Sequence, residues 1–205
     1  MGIYAIKPRF QKALQPIARW CVTHEITPTQ LNLIGVMFAV GMAGIWWLAL
    51  RWQLVLWAIP VLAFLRTAAN ALDGMVARET DAPYQAWGEV LNETLDRLSD
   101  IVIIGALVSV APVRAWWLWM PLAALLLASY MGIIGKAAGG SRQYKGIMGK
   151  ADRMVLVSIV AGLIAITGNW SWAQYGMIVM TIGLLITIIW RFTAIYHELT
   201  AQEYQ

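Results

Sequence analysis

The sequence predicts an all-α membrane protein: six transmembrane helices plus an N-terminal amphipathic interfacial helix. Three observations predict it. About 60% of the 205 residues are hydrophobic and only 13% are charged, against about 45–50% and about 25% in soluble domains. The apolar residues gather into six stretches near the ~20 residues that a spanning helix needs. Lys and Arg fall overwhelmingly on one side of those stretches, as they do on the cytoplasmic side of membrane proteins. This composition excludes a soluble globular domain, a disordered chain and a nucleic-acid-binding domain. The net charge of +4 is a membrane-topology charge. The one cysteine, Cys21, excludes an internal disulfide.

The elements follow in order. Ile3, Ile6, Phe10, Leu14, Ile17 and Trp20 recur at helical spacing with Lys7, Arg9 and Lys12 among them. This predicts an interfacial helix over 3–20, drawn to anionic lipid, within an N-terminal region 1–26. The alternative is an ordinary juxtamembrane tail. No apolar run marks a cleavable signal peptide. Thr27 before Pro28 reads as the cap of the first spanning helix. The predicted spans are 30–50, 53–77, 87–111, 116–137, 151–167 and 172–195. They form one bundle over 27–197, followed by a short cytoplasmic tail, 198–205. The whole chain, 1–205, reads as a single domain.

An even number of crossings places Lys7, Arg9, Lys12, Arg19, Arg78, Lys136, Arg142, Lys145, Lys150, Arg153 and Arg191 on one side. Only Arg51 and Arg114 fall on the other. Both termini are therefore expected in the cytoplasm, in a bacterial inner membrane. Trp46, Trp47, Trp52, Trp57, Trp116, Trp117, Trp119, Trp170 and Trp172 fall at the outer helix ends, where indoles favour the interface.

Seven of the eleven acidic residues lie between Asp73 and Asp100. A carboxylate facing lipid is costly, so intramembrane acids line cavities and carry function. Asn70 and Asp73 share one helix face. Glu89, Glu93, Asp96 and Asp100 form a stripe on the next helix, with Asn92 four residues before Asp96. Two such faces meeting across a cytoplasmic turn would gather oxygen ligands suited to a hard divalent cation and a substrate phosphate. Glu79 and Asp81, in the turn, read as solvated or paired with arginine. Asp73 and Asp96 read as functional. Asp100 lies deeper, with pairing to Arg97 or Arg66 as its alternative. His24 and His197 are too few for a zinc site. No nucleophile elbow or phosphate loop is present. Gly35 and Ala39 read as helix packing.

The segment Asn70-Ala-Leu-Asp73-Gly74-Met-Val-Ala77-Arg78, nine residues, then Gly88-Glu-Val-Leu-Asn92-Glu-Thr-Leu-Asp96 resembles the signature of the CDP-alcohol phosphatidyltransferase family, D-x-x-D-G-x-x-A-R then G-x-x-x-D-x-x-x-D. The signature spans 27 residues, and the six-helix layout extends the likeness over most of the chain. The resemblance implies transfer of a phosphatidyl group from CDP-diacylglycerol to an alcohol acceptor with release of CMP, and a homodimer. It implies Mg²⁺ or Mn²⁺ as cofactor. It makes Asp73 a metal ligand and Asp96 both ligand and catalytic base. It places Gly74, Ala77, Arg78 and Gly88 beside the donor nucleotide.

The first and third aspartates of the pattern are Asn70 and Asn92 here, which resembles a subgroup with Asn at both places. Each change removes a negative charge from the metal site. Either Glu93, Asp100 or Glu89 supplies the missing charge, or the site has lost a metal or its activity; the first reading is preferred. The loop from Gly139 to Arg153 is similar to one that binds the acceptor's phosphate in relatives using phosphorylated acceptors, which points to Arg142 and Lys150. Positive-inside charge alone is the alternative. Thr27 to Asn32 resembles a segment near the nucleotide. Rival functions are a CDP-amino-alcohol phosphotransferase that uses diacylglycerol, a non-catalytic lipid- or nucleotide-binding relative, and an ion transporter built on the buried acids.

Overall fold

The computed structural model describes residues 7–80, 86–112 and 116–203, which form helices joined by short turns. Ile3, Ile6, Asp81 and Arg114 lie outside the described residues. Seven α-helices follow one another: α1 (Lys7–Thr23), α2 (Pro28–Leu48), α3 (Ala58–Glu79), α4 (Ala86–Val110), α5 (Met120–Ala137), α6 (Lys150–Thr167) and α7 (Ser171–Glu203). Short 3₁₀ turns, Gln53–Trp57 and Trp116–Trp119, lead into α3 and α5.

Local chemistry sets the helix ends. Thr27 caps α2: its hydroxyl accepts from the Gln30 amide at 3.2 Å, and the Gln30 side chain accepts from the Thr27 amide at 2.8 Å. This reciprocal box satisfies two amides that the first turn leaves unpaired, and Pro28 at the first helical position loses nothing. Gly168 ends α6 at φ +69°, a left-handed conformation that glycine adopts freely. The Gln53 side-chain amide donates to the Ala165 carbonyl, which the helix end would otherwise leave bare, and to the Ile164 carbonyl, which also accepts from the Gly168 amide.

Among the described residues, four segments are long and apolar enough to cross a membrane: Pro28–Leu48, Gln53–Glu79, Trp116–Ala137 and Ser171–Gln202. Helices α4 and α6 carry charged residues in the halves that meet the site. Large apolar side chains such as Met37, Leu54 and Ile166 stand exposed on the outer surface, as a hydrocarbon solvent permits.

The core is split. One apolar cluster, with Trp46, Leu56, Ile103, Leu107, Leu125, Ile164 and Met177, fills one end of the bundle. A second lies between α1 and α3, where Leu14, Ala18 and Cys21 meet Leu72, Met75 and Val76. The stripe of α1 that faces protein is thus Leu14–Ala18–Cys21, with Phe10 edge-on to Phe64 at 5.9 Å. Ile17 and Trp20, expected on the same face, are exposed.

Two expectations from the sequence are corrected. Trp46 is fully buried rather than interfacial. Helical phase turns it inward at the level of Leu56 and Ile59, while its neighbour Trp47 points out. The last predicted helix, 172–195, is also longer: α7 runs unbroken from Ser171 to Glu203, and its last turns bind the loop before α6.

Candidate functional site

The buried polar residues collect at one end of the bundle, where the C-terminal halves of α3, α5 and α7 meet the N-terminal halves of α4 and α6. Asp73 on α3 and Asp96 on α4 are buried there and lie near enough to repel each other electrostatically. Asp73 accepts from the Gly74 amide, and the Asn32 side chain of α2 lies beside it. Asp96 receives a hydrogen bond from the Lys150 ammonium at the start of α6. Three helices far apart in sequence thus place an acid, a second acid and an ammonium together.

Asn70 sits one turn before Asp73 and packs against Gly35. A Cβ at Gly35 would stand 3.1 Å from the Asn70 Oδ1, so the glycine is what admits this amide between α2 and α3. Three amide atoms here are buried without a hydrogen-bond partner: Asn32 Oδ1, Asn70 Nδ2 and Asn92 Oδ1. Buried amides are normally satisfied. Two orphaned carbonyl oxygens beside two carboxylates form an oxygen-rich donor set of the kind a hard divalent cation takes. Among the described residues, no cluster of three His, Cys, Asp or Glu side chains forms a metal site. The residues that fit a cation are therefore Asp73 and Asp96 with amide support from Asn92 and Asn32.

Asp100 lies deeper and is wholly buried. It accepts from Arg66 of α3 at 2.9 Å and from Arg153 of α6 at 2.5 Å, with Arg97 3.7 Å away. Each carboxylate oxygen thus has its own principal guanidinium. Arg66 also reaches the Met154 sulfur at 3.2 Å, and Arg153 the Met148 carbonyl at 3.2 Å. This knot fastens α3, α4 and α6 directly beneath Asp96.

Glu93 and Glu89 lie one and two turns before Asp96 on α4 and pair with the loop before α6 and the end of α5. Glu93 holds Arg142 of the loop before α6 and lies 3.5 Å from Arg97. Glu89 binds Lys136 at 2.8 Å and lies 3.7 Å from Arg142. Partial burial pulls the Arg142 pKa down, but the hydrogen bond and charge of Glu93 more than offset this and leave it raised. Arg142 therefore keeps its charge. The three acids expected to make good the charge missing at Asn70 and Asn92, Glu93, Asp100 and Glu89, are thus all engaged by basic side chains.

The loop itself is stitched to α7. The Thr187 hydroxyl accepts the Ile147 and Met148 amides at 3.2 and 3.1 Å. Gly146 has φ +145°, and a Cβ there would come within 2.3 Å of Thr187. Arg191 bonds the Lys145 carbonyl at 3.0 Å and the Ala128 carbonyl at 2.5 Å. Glu198 accepts from the Ser141 amide and the Gln143 side chain.

Arg78 and the glycines of the motif lie at the margin. Arg78 folds back along α3, with its Nη1 3.5 Å from the position of a Gly74 Cβ. It lines a cavity of about 160 Å³ with Gln11, Gln15, Met75 and Glu79. Glu79 is exposed at the helix end, as expected, and accepts from Gln15 of α1. Ala77 is exposed at the same end, and a Cβ at Gly88 would meet nothing within 4 Å, so both positions are open. Sequence reasoning missed Arg153 and Arg191 as parts of the site. Their only signal was that they are basic residues inside otherwise apolar helices.

No protein-family model matches the sequence. The chain is 30% identical over 190 residues to the inner membrane protein YnbA of Escherichia coli, covering 92% of this chain and 94% of that protein. It is 32% identical over 197 residues to the phosphatidylinositol phosphate synthase of Cutibacterium acnes, covering 90% and 92%. The archaetidylinositol phosphate synthase of Pyrococcus horikoshii is 29% identical over 157 residues, covering 76% and 80%. The phosphatidylinositol phosphate synthase of Mycobacterium tuberculosis, solved with CDP-DAG bound, shares the fold. Its TM-score is 0.69 at 23% identity, over 88% of this chain and 92% of that one. The same enzyme in complex with manganese and citrate gives 0.69 at 22% identity, over 88% of each chain.

Fold and site define a helical membrane transferase whose acids meet a basic chamber at one end of the bundle. The chain belongs to the CDP-alcohol phosphatidyltransferase family.

Proposed function

We propose that this protein moves a phosphatidyl group from CDP-diacylglycerol to an alcohol acceptor that itself carries a phosphate. The acceptor oxygen bonds to the phosphorus of the phosphatidyl group, the bond from that phosphorus to CMP breaks, and the hydroxyl proton passes to Asp96. The observation that carries the reading is the meeting of Asp73 and Asp96 at the basic end of the bundle, with Arg142, Arg153 and Arg191 grouped behind them. Apart from YnbA, the named relatives are phosphatidylinositol or archaetidylinositol phosphate synthases, names that imply a phosphorylated acceptor.

A divalent cation, Mg²⁺ or Mn²⁺, bound at Asp73 and Asp96 would neutralise the donor diphosphate and favour departure of CMP. The protein's own groups do the rest. Lys150 holds the Asp96 carboxylate in one orientation. Asp96 is thereby aimed for general-base work on a hydroxyl whose pKa is otherwise too high for attack. Arg142 is the contact for the acceptor phosphate, with Arg191 behind it, and Glu93 keeps the guanidinium in place until the acceptor arrives. Arg78, with Gly74, Ala77 and Gly88, borders the donor.

Helices α4 and α6 complete six crossings. Their charges are paired within the bundle, which is the condition under which charged residues are tolerated at membrane depth. Six crossings and the distribution of Lys and Arg put the site and both termini on the cytoplasmic side. Helix α1 then lies at the inner surface, with Trp20 and Ile17 toward lipid.

The test is CMP release. Purified protein in detergent receives CDP-diacylglycerol, Mg²⁺ or Mn²⁺, and inositol phosphate, glycerol 3-phosphate, inositol, glycerol or serine. CMP is expected with a phosphorylated acceptor and not with its unphosphorylated form. CMP with only an unphosphorylated acceptor would overturn the acceptor class, and none with any acceptor would overturn the activity.

A further inference from the structure

The charges at the site limit how many metal ions it can hold. Among the described residues, at least nine ion pairs link ten side chains into one network. Four are acids, Glu89, Glu93, Asp96 and Asp100. Six are bases: Arg66, Arg97, Lys136, Arg142, Lys150 and Arg153. The network therefore carries two positive charges in excess. Asp73 and Arg191 adjoin it and cancel each other.

A diphosphate diester brings about two negative charges, and a phosphomonoester acceptor about two more near neutral pH. One dication would raise the protein's excess to four and balance both substrates. A second dication would add two more positive charges beside the buried Arg66 and Arg153 and the Lys150 ammonium, where unpaired charge is strongly disfavoured.

The local geometry agrees. Two-metal sites set their ions ~3.5–4 Å apart and bridge them with shared carboxylates. Among the described residues, the acids least taken up by arginine are Asp73 and Asp96, the latter paired with Lys150 and 4.0 Å from Arg97. Asp100 is taken by Arg66 and Arg153, and Glu93 by Arg142. Asn70 and Asn92 are neutral. One oxygen of Asp96 already carries the Lys150 ammonium, so a cation of the protein's own is seated on that carboxylate.

We propose that the site holds a single divalent cation and that Lys150 takes the place of a second. This rests on the transfer reading above for the identity of the substrates. It assigns Lys150 a role as fixed counter-charge to Asp96, made necessary by the two asparagines.

The test is metal stoichiometry. Full-length protein in detergent, with CDP-diacylglycerol present, is titrated with Mn²⁺, and the bound ion is counted by equilibrium dialysis and examined by electron paramagnetic resonance. The expected plateau is about one Mn²⁺ per chain with the spectrum of an isolated ion. Two per chain, a spin-coupled pair or no bound ion would overturn the proposal. In the triple variant Asn70→Asp, Asn92→Asp, Lys150→Met the plateau is expected to double, and a plateau still at one would also overturn it. CMP release measured on the same wild-type sample keeps the two readings apart. Release with two ions bound refutes only the stoichiometry, and one ion bound without release refutes only the transfer.

Discussion

Replacing Asp100 with Asn separates two roles for that carboxylate. Asp100 is 0% exposed and holds Arg66, also 0% exposed, and Arg153, 4% exposed. The neutral amide keeps the shape but leaves two buried guanidiniums facing each other. Breaking a buried pair from one side costs about 3–5 kcal/mol, a large share of the ~5–15 kcal/mol that holds a typical protein together. For a chain of this size each kcal/mol moves the melting temperature by about 2–4 °C, so Asp100→Asn should lower Tm by about 6–20 °C. The assay is thermal unfolding in detergent with EDTA present, so that no metal contributes. A second variant, Arg66→Met with Asp100→Leu and Arg153→Met, removes the whole knot and should recover much of the loss, because apolar side chains of similar volume replace buried ion pairs well. A Tm within 2 °C of wild type for Asp100→Asn in EDTA, together with a weakened Mn²⁺ affinity, would refute the knot and return Asp100 to the metal.

Three further outcomes are expected. Asp96→Asn should cut CMP release by about 10²-fold or more, the scale of a general base, while CDP-diacylglycerol binding persists; turnover near wild type would remove Asp96 as the base. Asp73→Asn should raise the Mg²⁺ concentration needed for half-maximal rate, and an unchanged titration would argue against its ligand role. Glu93→Gln should raise the acceptor KM about tenfold, the equivalent of ~1.4 kcal/mol, by releasing Arg142 from its partner; a shift in metal requirement with the same KM would instead make Glu93 a ligand.

Much of this was legible in the sequence, and the reasons differ by residue. The start of α2 was readable because Thr27, Pro28 and Gln30 form a local cap that needs nothing from the rest of the chain. Asp73 and Asp96 were readable because acids inside apolar helices are rarely accidental. The partners of Asp100 were only half readable. Arg66 was a candidate, but Arg153 lies 53 residues away on α6, and helical periodicity carries no information about which helices meet. The same limit hid the fate of Glu93, which spacing placed on the metal-facing stripe and packing gave to Arg142. Trp46 misled because hydropathy locates the end of a span but not the direction in which a ring there turns. The end of α7 misled in a similar way. An apolar window closes near residue 195, while the helix continues for as long as its side chains find something to bind.

What the last turns of α7 bind has a practical consequence. Glu198 holds Ser141 and Gln143 of the loop that carries Arg142. A design that trims the chain at 197, or fuses a reporter there, would therefore cut a tether of the catalytic chamber while leaving every crossing intact. Such a protein would insert, extract and elute like the wild type, and would fail at the bench for want of one glutamate. Purification handles belong beyond residue 203.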